Sequence, residues 1–272
     1  MIAPVRGRLA RAMGRLFCTL AGLTLATAAV AGRTCEAQAP DTQAIARGLD
    51  LALQTAQALD AQPAQVLLIA RAGQDLAKYG LRWSHVGLAY RDPLAQPAGA
   101  WRIVHKLNHC ASAEAAVYRQ GLGEFFLDQP HRYETAFMPL APALQARLLP
   151  LLQDDAALAT LHERRYSVVA YPWASIYQQS NQWVIETLAL AADGARTRPQ
   201  AQAWLQAQGY QPTVLALGPL TRLGARVGSA NVAFDDHPNS QRFADRIATV
   251  TADSVFAWLA RAGLGGALRT LP

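Results

Sequence analysis

The fold prediction starts from two separated segments, Trp83-Ser84-His85-Val86-Gly87-Leu88-Ala89-Tyr90 and Tyr177-Gln178-Gln179-Ser180-Asn181-Gln182-Trp183-Val184. The first places His85 at the start of a weakly alternating apolar run, which is typical of a strand. The second places Ser180 directly before a patterned apolar run, where a helix is expected to begin. A histidine and a hydroxyl residue in such positions can form a base–nucleophile pair, so the same segments pose the functional question.

The run that begins at His85 is predicted to form an antiparallel hairpin with the run at 101–107. The two runs flank about ten residues rich in turn formers, including Arg91-Asp92-Pro93. In the second run, Trp101, Ile103 and His105 share one face, because successive side chains of a strand point to opposite sides.

The remaining pattern predicts a mixture of helices and strands. Apolar residues at helical spacing predict helices at 42–59, 112–120, 139–152, 181–192, 198–209 and 255–262. Short apolar runs predict further strands at 66–70, 166–171, 214–217, 230–234 and 247–251. We therefore predict an α+β fold over residues 41–272, in which helices flank a mainly antiparallel sheet within a single domain.

Residues 1–31 have the pattern of a secretory signal peptide. Four arginines between positions 6 and 15 precede an apolar run at 16–30 that contains no charge. This run of about 15 residues is shorter than the roughly 20 that a spanning helix needs, so a membrane anchor is the less favoured interpretation. Cleavage is expected after Ala31 or near Ala37–Ala39, and 32–40 has the composition of a linker. The sequence thus predicts a periplasmic or secreted protein with no stable membrane span after removal of the signal.

The charge of the chain comes largely from that segment. The formal net charge is +6, but four of the 25 basic residues lie in the predicted signal, which leaves 21 basic and 19 acidic residues. Because no cluster of Lys and Arg interleaved with aromatic residues remains, we expect no nucleic-acid partner.

Two cysteines lie beyond the predicted signal, Cys35 and Cys110. An oxidising compartment permits one disulfide, but spacing alone does not show whether the two residues pair. Cys110 is also an alternative nucleophile. Nothing around it predicts a helix start, so a buried or disulfide-bonded role is favoured.

Ser180 and His85 each have two interpretations. Ser180 is either an N-cap, which accepts a backbone N–H and is worth about 1 kcal/mol, or a nucleophile whose developing charge the helix N-terminus stabilises. Spacing alone favours the cap. His85 is either a general base or a structural histidine at a strand end, and taken alone the structural role is favoured.

A third polar group would be needed to orient His85 and fix its tautomer, and His105 and Asn108 are the candidates. The alternative is that His105 belongs to the core and Asn108 to a turn. The residues that follow Ser180, namely Asn181, Gln182 and Trp183, are expected to position the site residues without contacting the substrate.

A second polar cluster, Asp235-Asp236-His237-Pro238, follows the apolar run at 230–234. Asp236 and His237 could orient a catalytic group or contribute to a metal site. Adjacent residues of a strand point to opposite sides, so a turn with an Asp–Arg242 pair is favoured. We predict no metal and no cofactor, since the chain contains no GxSxG, HExxH, CxxC, P-loop or GxGxxG motif.

Several motifs together resemble the bacterial family known as domain of unknown function 2145, from roughly Val66 to the C-terminus. They are Arg71-Ala72-Gly73-Gln74-Asp75, Tyr79 to Gly87, His105-Lys106-Leu107-Asn108, Gly121-Leu122 with Phe125-Phe126-Leu127-Asp128, Ser180-Asn181-Gln182-Trp183 with Glu186, and Asp235-Asp236-His237-Pro238. This family has no established activity that the resemblance could imply.

A more distant resemblance is to circularly permuted papain-like proteins of the NlpC type, in which the histidine strand precedes the nucleophile helix. His85 matches the histidine of that pattern and His105 matches the third position loosely. Ser180 matches the nucleophile position but departs from cysteine, and a serine hydroxyl is far less acidic than a thiol, whose reference pKa is about 8.5. The resemblance implies a permuted papain-like fold.

Two functions of different class follow. The first is an exported hydrolase or acyltransferase acting on an amide or ester of the envelope, such as a peptidoglycan peptide or a lipid. Ser180 would attack, His85 would take its proton, and backbone N–H groups near Asn181 would hold the oxyanion. The second is a non-catalytic envelope protein that binds a small molecule, peptide or lipid in a degenerate cleft. Four tryptophans would suit a sugar or peptide surface, although such residues are more often core: Trp83, Trp101, Trp173 and Trp183.

Overall fold

The computed structural model describes residues 41–96, 99–128 and 130–272. The predicted signal peptide, the linker at 32–40 and Cys35 lie outside the described residues. The strands are β1 (Val66–Ala72), β2 (His85–Asp92), β3 (Ala100–Asn108), β4 (Ala115–Gly121), β5 (Arg132–Pro139), β6 (Thr213–Ala216), β7 (Arg246–Thr249) and β8 (Arg269–Leu271). The helices are α1 (Thr42–Asp60), α2 (Leu122–Leu127), α3 (Pro142–Gln153), α4 (Asp155–Ala159), α5 (Ser180–Asp193), α6 (Arg198–Ala207), α7 (Pro219–Gly228), α8 (Asn239–Arg242) and α9 (Ala252–Arg261).

Six strands form one antiparallel sheet in the order β4-β3-β2-β1-β5-β8, and β6 and β7 form a separate two-stranded ribbon. The predicted hairpin of β2 and β3 is confirmed, with Leu88 opposite Val104. The α+β class with a mainly antiparallel sheet is likewise confirmed. Within the described residues, no helix is both long and apolar enough to cross a bilayer.

The central strands are buried on both faces of the sheet. On β1, Leu68 and Ala70 pack toward α3, α5 and α9, whereas Leu67 and Ile69 pack toward α1 and α2. Alternation along β2 continues this division, because Leu88 joins the first cluster and Ala89 the second. Each fully buried aliphatic side chain contributes roughly 1.5–3 kcal/mol, so these two clusters supply much of the stability of the fold.

Helix α5 is the helix that positions the site. It packs against β2 and β3, and also against α3 and α6. All twelve residues from Ser180 to Ala191 are buried, so the helix is apolar or hydrogen-bonded on every side. It ends at Gly194, which has a φ of 74°, a left-handed conformation that glycine adopts without a steric penalty.

Three predicted elements are wrong. The segment predicted as a helix at 112–120 contains strand β4, which pairs with β3 along its whole length. The segments 166–171 and 230–234 were predicted as strands but are irregular. Their backbone groups bond to distant segments instead, as when the Val168 N–H donates to the Asn231 carbonyl at 2.9 Å.

Candidate active site

The start of β2 and the start of α5 meet at one end of the large sheet. The Val86 N–H donates to Oδ1 of Asn181 at 3.0 Å. His85 and Ser180 immediately precede these two residues, and both line one cleft of about 820 Å³. Asn181 also donates through Nδ2 to the Val250 carbonyl at 3.2 Å. Its side chain therefore ties the start of α5 to the start of β2 and to the segment after β7.

His85 is the first member of a chain of three buried or half-buried side chains. Its Nε2 lies 2.8 Å from Nδ1 of His105, and Nε2 of His105 lies 2.8 Å from Oε1 of Gln120. An amide oxygen can only accept, so His105 carries its proton on Nε2 and accepts on Nδ1. His85 must then donate from Nε2, so Nδ1 is the nitrogen that can accept a proton whenever the ring is neutral.

His105 is held neutral by its surroundings. Burial lowers the pKa of His105 to about 3, with a further lowering by the charge of Arg71 and an opposing effect of the Gln120 hydrogen bond. A ring that stays neutral at ordinary pH can fix the tautomer of His85, but it does not itself act as a base. The structure thus places His105 against His85. Asn108, the other candidate, donates from its amide to the His109 carbonyl at 3.3 Å.

Gly87 makes room for this arrangement. A Cβ at Gly87 would lie 2.6 Å from Cγ2 of Ile103 and 3.2 Å from Cβ of His105. A glycine within a strand often marks such a close approach. A side chain at this position would therefore push against both Ile103 and His105.

Ser180 is the first residue of α5, and the prediction that it serves as the N-cap is wrong. Gln179 is the cap, and its side chain accepts from the Asn181 N–H at 3.1 Å. Gln179 is itself held by Thr249, whose hydroxyl accepts from its amide at 2.9 Å. Because glutamine performs the capping, the hydroxyl of Ser180 is not needed to satisfy the helix terminus.

Tyr166 is the polar neighbour of Ser180. Burial raises the pKa of Tyr166, and hydrogen bonding to the Ser180 side chain and backbone lowers it in part. Tyr166 lines the same cleft as Ser180 and His85. The phenol thus contacts the first residue of α5 at the wall of the cleft.

A buried ionic cluster holds the segment that leads into α5. Glu186 is fully buried and pairs with Arg198, whose Nε lies 2.8 Å from Oε2 of Glu186. Gln182 and Gln202 donate to the other oxygen at 3.3 and 3.0 Å. Gln182 also donates to the Pro172 carbonyl at 3.2 Å. Gln182 therefore belongs to this cluster, whereas Trp183 is fully buried in the apolar core.

Lys106 extends the same cluster, and its complete burial was not predicted. Its ammonium donates to the Glu163 carbonyl at 2.6 Å and to Oε1 of Gln178 at 2.8 Å. Burial, together with the charge of Arg198, lowers the pKa of Lys106 to about 7, although Glu186 opposes this shift. The available signal was its place beside His105, since alternation sends the two side chains to opposite faces.

Asp236 and His237 form a structural joint beside the cleft. Nδ1 of His237 lies 2.9 Å from Oδ1 of Asp236, and Nε2 lies 2.9 Å from the Ala248 carbonyl. Asp236 also accepts from the Tyr171 N–H at 2.7 Å. The expected Asp–Arg242 pair is wrong, because Arg242 donates to Oδ1 of Asn239 at 2.6 Å. Within the described residues, no group of three or more His, Cys, Asp or Glu side chains is arranged to hold a metal.

Two further expectations have clear outcomes. Cys110 is disulfide-bonded, so it does not provide a thiol nucleophile; Cys35 lies outside the described residues. The tryptophans do not form a common binding surface, since Trp101 and Trp183 are buried in the clusters on opposite faces of the sheet. Of the four, Trp83 lines the cleft.

Comparison with known proteins identifies a family. The model of a bacterial family described as an uncharacterized protein conserved in bacteria, DUF2145, matches residues 58–259. Neither the curated proteins nor the solved structures yield a match to the chain. The resemblance to this family is confirmed, and the resemblance to permuted papain-like proteins stays a prediction.

Proposed function

We propose that this chain, which belongs to the uncharacterised bacterial family DUF2145, is an exported envelope hydrolase or acyltransferase acting on an amide or ester. One observation carries the proposal. His85, with its tautomer fixed by His105 and Gln120, shares a cleft with a serine at the N-terminus of α5.

The reaction would begin with attack of Ser180 Oγ on the substrate carbonyl carbon. Nδ1 of His85 takes the hydroxyl proton, and the carbonyl oxygen acquires the negative charge. The positive end of the α5 dipole and the Tyr166 hydroxyl stabilise that charge. The bond to the leaving amine or alcohol then breaks, and His85 returns its proton to the leaving group. Water or a second acceptor releases the acyl group from Ser180 by the same steps in reverse.

The serine makes the orientation of the base more demanding than a cysteine would. A thiol can ionise near neutral pH, whereas a serine hydroxyl must lose its proton as the new bond forms. The chain from Gln120 through His105 meets this need, since it holds His85 in a single tautomer. The location in the envelope rests on the sequence pattern of residues 1–31.

Labelling with a fluorophosphonate tests the proposal. We expect the wild-type chain to be labelled, Ser180→Ala to be unlabelled, and His85→Ala to be labelled at least about 100-fold more slowly, as is usual when a general base is lost. Ser84→Ala is the matched control, since Ser84 lines the same cleft but its hydroxyl accepts from the Gly73 N–H at 2.8 Å. It should be labelled like wild type. A folded wild type without label, or a label that survives both substitutions, would rule out the pair.

A second function is favoured by the contact of Tyr166 with Ser180. If the phenol stays on Ser180 when a ligand enters, the cleft binds without turnover. The two functions separate in one experiment. A binding protein remains unlabelled in every variant, yet its thermal unfolding midpoint rises when an envelope peptide or lipid is added.

A further inference from the structure

We propose that the cleft accepts the acyl chain of a lipid and that α7 lies on the phospholipid bilayer from which that lipid comes. The substrate assignment rests on the proposed function. The membrane contact of α7 can be tested separately.

The first observation is the apolar wall of the cleft. Opposite the end of the large sheet, the cleft is lined by a small cluster that includes Leu217, Val232 and Phe234, with Leu215 and Ala225 against it. The polar groups that carry the proposed chemistry lie on the other elements, at the starts of β2 and α5. An apolar wall facing a few placed polar groups suits a ligand with a reactive carbonyl and a long hydrocarbon tail.

The second observation is the outer face of α7. None of its ten residues is buried. Leu220, Leu223 and Val227 recur at three- and four-residue spacing, and their exposed fractions are 84%, 61% and 81%. Leu220 also lines the cleft, together with Gly224 of the same helix. Leu220 therefore belongs both to the exposed apolar row of α7 and to the lining of the cleft, so it links the two surfaces.

The third observation is the charge around this face. Leu217 donates from its N–H to the Asp245 carbonyl at 3.0 Å, and Arg222 pairs with Asp245 at 2.6 Å. These bonds hold the start of α7 against the segment that carries Arg242, Phe243 and Arg246. Phe243 is 72% exposed, and the Arg242 guanidinium lies 5.0 Å from the centre of its ring.

Arg226, in the last turn of α7, adds to this basic character. Aliphatic and aromatic side chains flanked by arginines match the boundary between acyl chains and anionic headgroups. The face is too short to span a bilayer and is suited to lying on one. A bilayer therefore fits it better than a soluble partner.

Sedimentation with vesicles tests the membrane contact, on protein purified from cells that express the full chain. We expect binding to vesicles of phosphatidylglycerol and phosphatidylcholine, and weaker binding to phosphatidylcholine alone. Leu223→Gln with Val227→Gln should weaken binding by at least about tenfold, because two apolar side chains no longer enter the bilayer. The matched control is Leu49→Gln with Leu53→Gln on α1, whose exposed fractions are 48% and 60%; it should bind like wild type.

Further measurements distinguish failure of the membrane contact from failure of the proposed function. Ser180→Ala should bind vesicles like wild type, so vesicle binding does not depend on turnover. A wild type that does not sediment with vesicles, or equal losses in the two double variants, overturns the membrane contact. Dissociation of a dimer by the α7 variant without any vesicle binding assigns the face to a second copy and also overturns it. Equal labelling of Ser180 by fluorophosphonates with long and short alkyl chains overturns the acyl-chain assignment, whereas absence of labelling bears on the proposed function.

Discussion

Replacing His105 by glutamine should make the fold less sensitive to acid. His105 has a pKa of about 3 in the folded chain because it is fully buried and lies near Arg71. In the unfolded chain its pKa is about 6.5. The folded pKa is the lower of the two, so below about pH 6.5 the unfolded chain takes up a proton that the folded chain refuses. The free energy of unfolding is therefore unaffected by this group above pH 6.5 and falls as the pH drops toward 3.

The size of the effect follows from the two pKa values. When the pH falls from 7 to 4, the free energy of unfolding decreases by about 3 kcal/mol, because His105 stays neutral in the folded chain while it takes up a proton in the unfolded chain. Below pH 3 the total decrease approaches about 5 kcal/mol. Glutamine does not titrate. The change in stability between pH 7 and pH 4 should thus be about 3 kcal/mol smaller in His105→Gln than in wild type, whatever the variant's stability at pH 7.

Urea unfolding at a series of pH values measures this difference. Titrating groups that do not contact His105, among them His162 with a pKa lowered to about 4 mainly by burial, are present in both proteins and cancel. His109→Gln is the control, because His109 is exposed and its replacement should leave the acid loss of the wild type in place. If wild type and His105→Gln lose the same free energy between pH 7 and pH 4, His105 is not buried in a neutral state and the argument for a fixed tautomer on His85 fails.

Three other substitutions test the supports of the site. Glu186→Gln leaves buried Arg198 without its ionic partner and should lower the free energy of unfolding in urea by about 3–5 kcal/mol. The control Glu114→Gln breaks the exposed pair with Arg164 and should lower it by about 1 kcal/mol or less. Similar losses in the two variants would contradict the role of the buried cluster. Gly87→Ala should lower the free energy of unfolding by about 1–3 kcal/mol, because its Cβ would meet Ile103 at 2.6 Å. The control is Gly224→Ala in α7, which has nothing within 4 Å and should be neutral or stabilising. A neutral Gly87→Ala would show that β2 and β3 can separate. Tyr166→Phe should keep its unfolding midpoint near that of wild type and slow fluorophosphonate labelling of Ser180 by at least about tenfold, while faster labelling would mean that the phenol blocks Ser180.

Local sequence patterns predicted those helices and strands whose conformation depends mainly on neighbouring residues in the chain. Alternation and turn residues were enough for the β2–β3 hairpin, and the apolar run after Ser180 was enough to place α5 within one residue. Strand β4 was missed because its start, Ala115-Ala116, favours helix locally. Its extended conformation comes from pairing with β3, and strand preference depends strongly on such neighbours.

The residues of the candidate site also divide into those that local sequence predicts and those that depend on distant contacts. His85, His105 and Ser180 could be proposed because each stands at a recognisable place in a strand or helix. Gln120 and Tyr166 could not, since Gln120 meets His105 only through the unpredicted β4 register. Tyr166 lies in a segment without regular structure, whose N–H bonds to the distant Ala113 carbonyl at 2.7 Å. No local pattern fixes such a meeting.

The choice between an enzyme and a binding protein depends on how far the residues around His85 and Ser180 depart from those that would make the fold most stable. A histidine that merely filled the core would not need a neutral neighbour, and burying His105 lowers stability in acid. Capping by Gln179 relieves Ser180 of its expected structural task. Local departures from the most stable choice concentrate at functional sites, and here they surround one base and one hydroxyl. This concentration favours the proposal that proton transfer between His85 and Ser180 is the purpose of the site.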